Sequence, residues 1–132
     1  MTQMTIRFLI VDDSAIFRAG LRSLLEAHVD WEICGEAADG LESIKQTRWL
    51  TPHFIIMDMS MPRMSGIEAA REILKEFPKV PILLLTLYLT RQLEEEARNH
   101  GIRATVSKTA MGHLVGSIET ILGDGELAVP TH

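Results

Sequence analysis

Five short, almost wholly apolar runs, each followed by a helical pattern, constrain this chain more than any other feature. They lie at residues 5–11, 31–37, 53–57, 82–85 and 102–106. The third is bounded by Pro52 and Pro62, and Pro78 and Pro81 precede the fourth. Runs of this length read as strands rather than helices. Strands that stay apolar instead of alternating are buried on both faces, which implies a parallel sheet with helices on each side. A chain of 132 residues suits one domain and is too short for a closed eight-fold barrel. The expectation is an α/β fold with a doubly wound, five-stranded parallel sheet.

The segments between the runs supply five helices. After the first run, Phe17, Leu21, Leu24, Leu25 and His28 form one stripe, with Arg18 and Arg22 off it and His28 at the helix end. Asp39-Gly40-Leu41-Glu42 reads as a capping box opening a second helix carried on by Ile44 and Trp49, and Thr51-Pro52 breaks it. Ser65-Gly66-Ile67-Glu68 is a second capping box, and Ile67, Ala70, Ile73, Leu74 and Phe77 give the third stripe. Residues 90–100 are helical by propensity but poorly amphipathic, anchored only by Leu93 and Ala97, with Gly101 as the terminal cap. A last helix shows Leu114, Val115, Ile118, Ile121 and Leu122, closed by Gly123 and Gly125. The expected domain is 5–123, and 124–132 reads as a frayed tail or the start of a linker. With strand order 2-1-3-4-5, the flavodoxin-like arrangement, ligands bind beyond the carboxyl ends of the first and third strands.

Composition narrows the function classes. Hydrophobic content of 46% with 23% charged residues is that of a globular chain, and a net charge of -5 argues against direct nucleic-acid binding. No apolar stretch reaches membrane-spanning length, and the first residues lack a secretory pattern, so the expected location is cytoplasmic with no membrane partner. The single cysteine, Cys34, excludes an internal disulfide and reads as a small buried strand residue.

The chemistry gathers at the strand ends. The first run ends in Asp12-Asp13-Ser14, the third in Asp58, the fourth in Thr86 and the last in Ser107-Lys108. Each residue alone has an ordinary explanation: Asp13-Ser14 as a helix cap, Asp58 as a turn, Thr86 as a strand residue, Lys108 as a solvated charge. All of them at one end of successive strands form a site. Three carboxylates in one crevice resist joint ionisation, and a divalent cation relieves this. Oxygen-only ligands favour Mg2+, and no Cys or His cluster has zinc spacing. A carboxylate, Mg2+, a hydroxyl and an ammonium suit phosphoryl transfer, with Asp58 as nucleophile, Thr86 as hydrogen-bond donor and Lys108 as a point charge.

Val11-Asp12-Asp13-Ser14, the segment 57–66 (Met-Asp-Met-Ser-Met-Pro-Arg-Met-Ser-Gly), Leu85-Thr86 and Val106-Ser107-Lys108 together resemble the response-regulator receiver domain of two-component signalling. The resemblance covers about residues 5–123, nearest to receivers of the nitrate-regulator-like class. It implies that Asp58 is the phosphoacceptor. It also implies that Asp13, Asp58 and the backbone carbonyl of Ser60 hold Mg2+, that Asp12 acts through water, and that Thr86 and Lys108 contact the phosphoryl group. The donor would be a sensor histidine kinase or phosphotransfer protein, and the chain would catalyse only its own phosphorylation and dephosphorylation. The class further implies transcription regulation through a DNA-binding domain outside these residues, with phosphorylation-dependent homodimerisation as one output.

Departures from the pattern set further expectations. Thr105 stands where the family often has an aromatic switch residue, so the usual coupling to Thr86 is altered. Leu87 replaces a small residue and is expected to restrict access to Asp58. Ser60 and Tyr88 occupy positions that tune phosphoryl lifetime, and Thr109 replaces a common proline. Helix 90–100 buries little, so it, the last strand and the last helix are the expected output face. Three alternatives stand beside this reading: a stand-alone receiver acting by protein contact, a degenerate receiver serving as a dimerisation module, and an aspartyl-nucleophile phosphohydrolase. The hydrolase lacks a second Asp two residues after the nucleophile, where Ser60 stands, and lacks a cap insertion.

Overall fold

The computed structural model describes residues 4–123. Its elements run β1 (Ile6–Val11), α1 (Ala15–Glu26), β2 (Trp31–Ala37), α2 (Gly40–Leu50), β3 (Phe54–Asp58), α3 (Gly66–Glu76), β4 (Ile82–Thr86), α4 (Arg91–Asn99), β5 (Ala104–Ser107), a 3-10 turn (Met111–His113) and α5 (Leu114–Gly123). The five strands pair in parallel in the order β2-β1-β3-β4-β5. This is the expected flavodoxin-like topology.

Strand periodicity of two divides the core between the sheet's faces. Phe8, Ile10, Phe54, Ile56, Leu83 and Leu85 point to one face, where Leu21 and Leu25 of α1 and Leu114, Ile118 and Ile121 of α5 cover them. Leu9, Val11, Ile55, Met57, Ile82 and Leu84 point to the other, under Ile67, Ala70 and Ile73 of α3 and Ala97 of α4. Both faces are covered, which is why the central strands could be apolar throughout.

Several local expectations are corrected. Leu24 is exposed rather than part of the buried stripe of α1, because Leu21 and Leu25 already fill its contact with the sheet. Trp49 does not carry α2 into the core: it is 84% exposed. The buried face of α2 is instead Gly40, Ser43 and Thr47. Ser43 Oγ donates to the Gly40 carbonyl at 2.6 Å and Thr47 Oγ1 to the Ser43 carbonyl at 2.7 Å, so both hydroxyls are satisfied inside the helix. The Asp39 cap is not a reciprocal box, because the Glu42 carboxylate accepts from Ala38 N–H at 2.6 Å instead of reaching Asp39 N–H.

Helix α4 is sharply sided rather than poorly amphipathic: Ala97 is buried, Leu93 packs beside it, and Glu95 and Glu96 are exposed. Its end is a Schellman motif. Gly101 at φ +89° lets its N–H reach the Arg98 carbonyl and Ile102 N–H the Ala97 carbonyl, each at 3.0 Å. That motif uses Ile102, so β5 begins at Ala104. Cys34 is half-buried rather than buried, since β2 is an edge strand. His28 lies just past α1 and stacks on Trp31 with ring centroids 3.9 Å apart. The expectations for 124–132 lie outside the described residues.

Candidate functional site

Parallel register brings the expected residues to one edge. Val11 pairs with Met57, Asp58 with Leu85, and Thr86 with Ser107. Asp12 directly follows β1, Asp58 closes β3, Thr86 closes β4 and Lys108 follows β5. All four meet at the carboxyl end of the sheet. Asp12, Asp58 and Thr86 are buried, while Asp13 is exposed. Each of Asp12, Asp13 and Asp58 offers an oxygen within 4.8 Å of the others.

Lys108 bridges the two buried carboxylates. Its Nζ lies 2.8 Å from Asp12 Oδ2 and 3.1 Å from Asp58 Oδ1. Its backbone N–H donates to the Thr86 carbonyl at 2.7 Å, which ties β5 to the end of β4 at the site. The Thr86 hydroxyl oxygen accepts from Tyr88 N–H at 3.3 Å. Ser60 N–H reaches Asp58 Oδ1 at 3.4 Å, so the loop after β3 folds over the carboxylate.

Electrostatics separate the groups. Burial pushes the Asp58 carboxyl above its ordinary range, the neighbouring Asp12 charge pushes the same way, and Lys108 and Ser60 N–H only partly offset them. For Lys108, burial pulls the ammonium down, but its bonds to Asp12 and Asp58 outweigh this and the net direction is up. Lys108 therefore stays a cation, while Asp58 is a carboxylate short of solvation. Three clustered carboxylates facing one ammonium leave negative charge in excess. An all-oxygen donor set with that excess fits a hard divalent cation such as Mg2+.

Local structure explains how these groups are held. Asp12 Oδ1 accepts from Ser14 N–H at 2.8 Å, and Ser14 Oγ caps α1 by accepting from Phe17 N–H at 3.1 Å. Arg18 Nη1 donates to the Asp12 carbonyl at 2.6 Å. Behind Asp58, α3 presses close: a Cβ on Gly66 would lie 2.3 Å from the Asp58 carbonyl oxygen. Gly66 N–H also donates to the Met59 carbonyl at 2.8 Å. Only a glycine fits this approach. The loop between them contains Arg63 at φ 67°, with Met64 N–H on the Pro62 carbonyl at 2.7 Å, a positive-φ γ-turn. Phe17, Arg18 and Gly66 were not singled out in the sequence as supports of the site. The capping pattern around Ser14 and Ser65 was the signal that pointed to their neighbourhood.

Residues 8–119 match the family described as the response regulator receiver domain. The response regulator VraR of Staphylococcus aureus is 37% identical over 106 residues, which are 80% of this chain and 51% of VraR. A protein-glutamate methylesterase/protein-glutamine glutaminase of Pyrococcus abyssi is 40% identical over 86 residues, 65% of this chain and 23% of that protein. The chain thus spans about half, or less, of the curated relatives it matches. A two-component response regulator of the LuxR family from Aurantimonas sp. SI85-9A1 superposes with a TM-score of 0.87 at 34% identity, covering 91% of this chain and 86% of that one. The response regulator domain of Thermotoga maritima CheB gives 0.78 at 29% identity, covering 90% and 92%.

Proposed function

This chain belongs to the response-regulator receiver family, and from that premise we propose that Asp58 is its phosphoacceptor. The observation that carries the reading is the buried Asp58 carboxylate, destabilised by burial and by Asp12, with the Lys108 ammonium 3.1 Å away. A poorly solvated carboxylate is a better nucleophile than one in water. One Asp58 oxygen attacks phosphorus in a phosphohistidine donor. The P–O bond forms as the P–N bond breaks, and the electron pair leaves with the imidazole nitrogen. Lys108 turns from Asp12 towards a phosphoryl oxygen, and the Thr86 hydroxyl turns from Tyr88 N–H to donate to another. Asp13, Asp58 and the Ser60 carbonyl, with Asp12 through water, are the residues that would hold Mg2+, and its positive charge would offset the negative charge of the phosphoryl oxygens.

The donor is proposed to be a sensor histidine kinase or phosphotransfer protein, and the chain to catalyse only its own phosphorylation and dephosphorylation. Its setting is proposed to be cytoplasmic; among the described residues no helix is long and apolar enough to cross a membrane. Similarity to LuxR-family response regulators, one of them described as DNA-binding, supports transcription regulation through a DNA-binding domain as the proposed output; a phosphorylation-dependent homodimer is proposed beside it. The reporter is proposed to be α4 with β5 and α5, since Thr86 leads through the exposed 87–89 loop into a helix with one buried residue. Leu87, 58% exposed beside Thr86, is proposed to slow donor access, so Leu87→Ala should speed phosphorylation.

Intact mass after incubation with acetyl phosphate and Mg2+ tests the reading. One added phosphoryl group, absent in Asp58→Asn and absent without Mg2+, is expected. An adduct that persists in Asp58→Asn would overturn the assignment. Hydrogen exchange in α4, β5 and α5 should change on beryllofluoride binding, and unchanged exchange there would overturn the output face.

A further inference from the structure

The Lys108 ammonium has a third neighbour besides the two carboxylates. It sits 4.2 Å from the centroid of the Phe17 ring. Phe17 comes from the first turn of α1, on the other side of the site from β5. We propose that Phe17 is a positioning residue for Lys108: its ring forms the wall against which the ammonium is held over Asp12 and Asp58, within reach of a phosphoryl group on Asp58. This rests on the reading of Asp58 as phosphoacceptor.

The physical need is clear. A lysine ends in a compact, strongly hydrated charge on a flexible four-carbon stem. Left to itself that charge turns to water. Here the side chain is only 13% exposed, and three groups that favour a cation surround the ammonium. Asp12 and Asp58 take two directions and the negative face of the ring takes a third. When a phosphoryl group occupies Asp58, the carboxylate contacts must loosen so that Lys108 can turn to the new oxygen. The ring contact is the one that need not break. It keeps the ammonium dehydrated and near while its anionic partner changes.

Phe17 is itself pinned. Its N–H is held by Ser14 Oγ at 3.1 Å, Ser14 N–H is held by Asp12 Oδ1 at 2.8 Å, and Arg18 next door holds the Asp12 carbonyl at 2.6 Å. The ring also packs against the core under α1 and α5. The cap on α1 therefore fixes both Asp12 and the wall behind the lysine. An aliphatic residue of similar size would fill the space but would not attract the cation.

Phe17→Leu, Phe17→Met, Phe17→Tyr and Phe17→Trp separate the two roles. Phosphorylation by acetyl phosphate with Mg2+ should slow by about 3- to 30-fold in Phe17→Leu and recover to within about twofold of wild type in Phe17→Tyr or Phe17→Trp. In a Lys108→Met background, Phe17→Leu should change nothing further. Independently of phosphorylation, the Lys108 ε-CH2 proton resonances in metal-free protein should be shifted upfield by the ring, and this shift should vanish in Phe17→Leu. Phe17→Met serves if Phe17→Leu does not fold. Equal rates in wild type and the aliphatic variants, an aliphatic penalty that persists without Lys108, or Lys108 resonances at ordinary positions would each overturn the proposal. If wild type takes no phosphoryl group, the phosphoacceptor reading fails, and the resonances still decide whether the ring holds the lysine.

Discussion

Helices α3 and α4 cover the same face of the sheet and follow the two strands that end at Asp58 and Thr86, yet they are held very differently. Helix α3 buries Gly66, Ile67, Ala69, Ala70 and Ile73 and starts in a reciprocal capping box. Helix α4 buries Ala97 alone and leaves Glu95 and Glu96 exposed. The support behind the proposed nucleophile is thus tightly fixed, and the element behind the proposed switch threonine is loosely attached. A ligand shifts an equilibrium only by its differential affinity for two states. A phosphoryl group makes few contacts, so it moves most easily an element whose resting attachment is weak. Firm seating of Asp58 also prevents its carboxylate from drifting away from Asp12 to relieve their repulsion.

The largest effect expected from this contrast is on global stability. Ile73→Ala should cost roughly 2–5 kcal/mol, the range for emptying a closed core position, whereas Leu93→Ala should cost about 1 kcal/mol or less. Urea unfolding of the two variants against wild type measures both. Equal costs would mean that α4 is as firmly built in as α3, and the proposed division of labour would be lost.

Next comes the charge that α3 holds in place. The Asp58 carboxyl is raised in the folded state, first by burial and then by Asp12. A carboxyl raised on folding prefers its proton in the native state. Its cost to stability is absent below the ordinary carboxyl value, grows as pH rises through the raised value and is complete above it. Asp58→Asn should therefore raise the thermal midpoint by a few degrees at neutral pH in metal-free buffer, with the gain shrinking in acid. Millimolar Mg2+ should stabilise wild type more than the variant. A gain that stays constant with pH would show that the charge is not its source.

The same contrast explains what could be read from sequence. Strands β1, β3 and β4 were legible because burial on both faces left residues 8–11, 54–57 and 82–85 no polar alternative. The candidate site was legible because four of the five strands end at, or one residue before, a residue proposed to carry chemistry, and a parallel sheet brings such ends together. Helix α2 was misread at Trp49, because its true inner face, Ser43 and Thr47, hides its polarity in bonds to its own backbone. Phe17 and Gly66 were legible as a helix residue and a cap residue, but not as partners of Lys108 and the Asp58 carbonyl. The first contact joins positions far apart in sequence, which no local pattern encodes, and the second depends on how the loop between Asp58 and Gly66 folds back, which the residues of that segment do not state by themselves.

The caps should respond in keeping with their helices. Ser65→Ala removes a reciprocal box and should lower global stability by about 1 kcal/mol. Thr90 caps α4 with a single bond to Leu93 N–H at 3.0 Å. Thr90→Ala should speed hydrogen exchange within α4 while leaving the global unfolding midpoint nearly unchanged, because α4 can fray without opening the core. A global loss from Thr90→Ala as large as that from Ser65→Ala would contradict a loosely attached α4.

The smallest effect tests whether the loop leading into α3 is strained. Arg63 sits at φ 67°, a conformation natural to glycine and uncommon for arginine. Its link to Asp39 is 3.5 Å long with Arg63 largely exposed, so it contributes little. Glycine would relieve the backbone strain but would also loosen the unfolded chain, and these effects nearly cancel. Arg63→Gly should leave stability unchanged or raise it by about 0.5 kcal/mol, measured by chemical denaturation. A loss greater than about 1 kcal/mol would mean that the Arg63 side chain, rather than the seating of α3 against the Asp58 carbonyl, holds this loop in place.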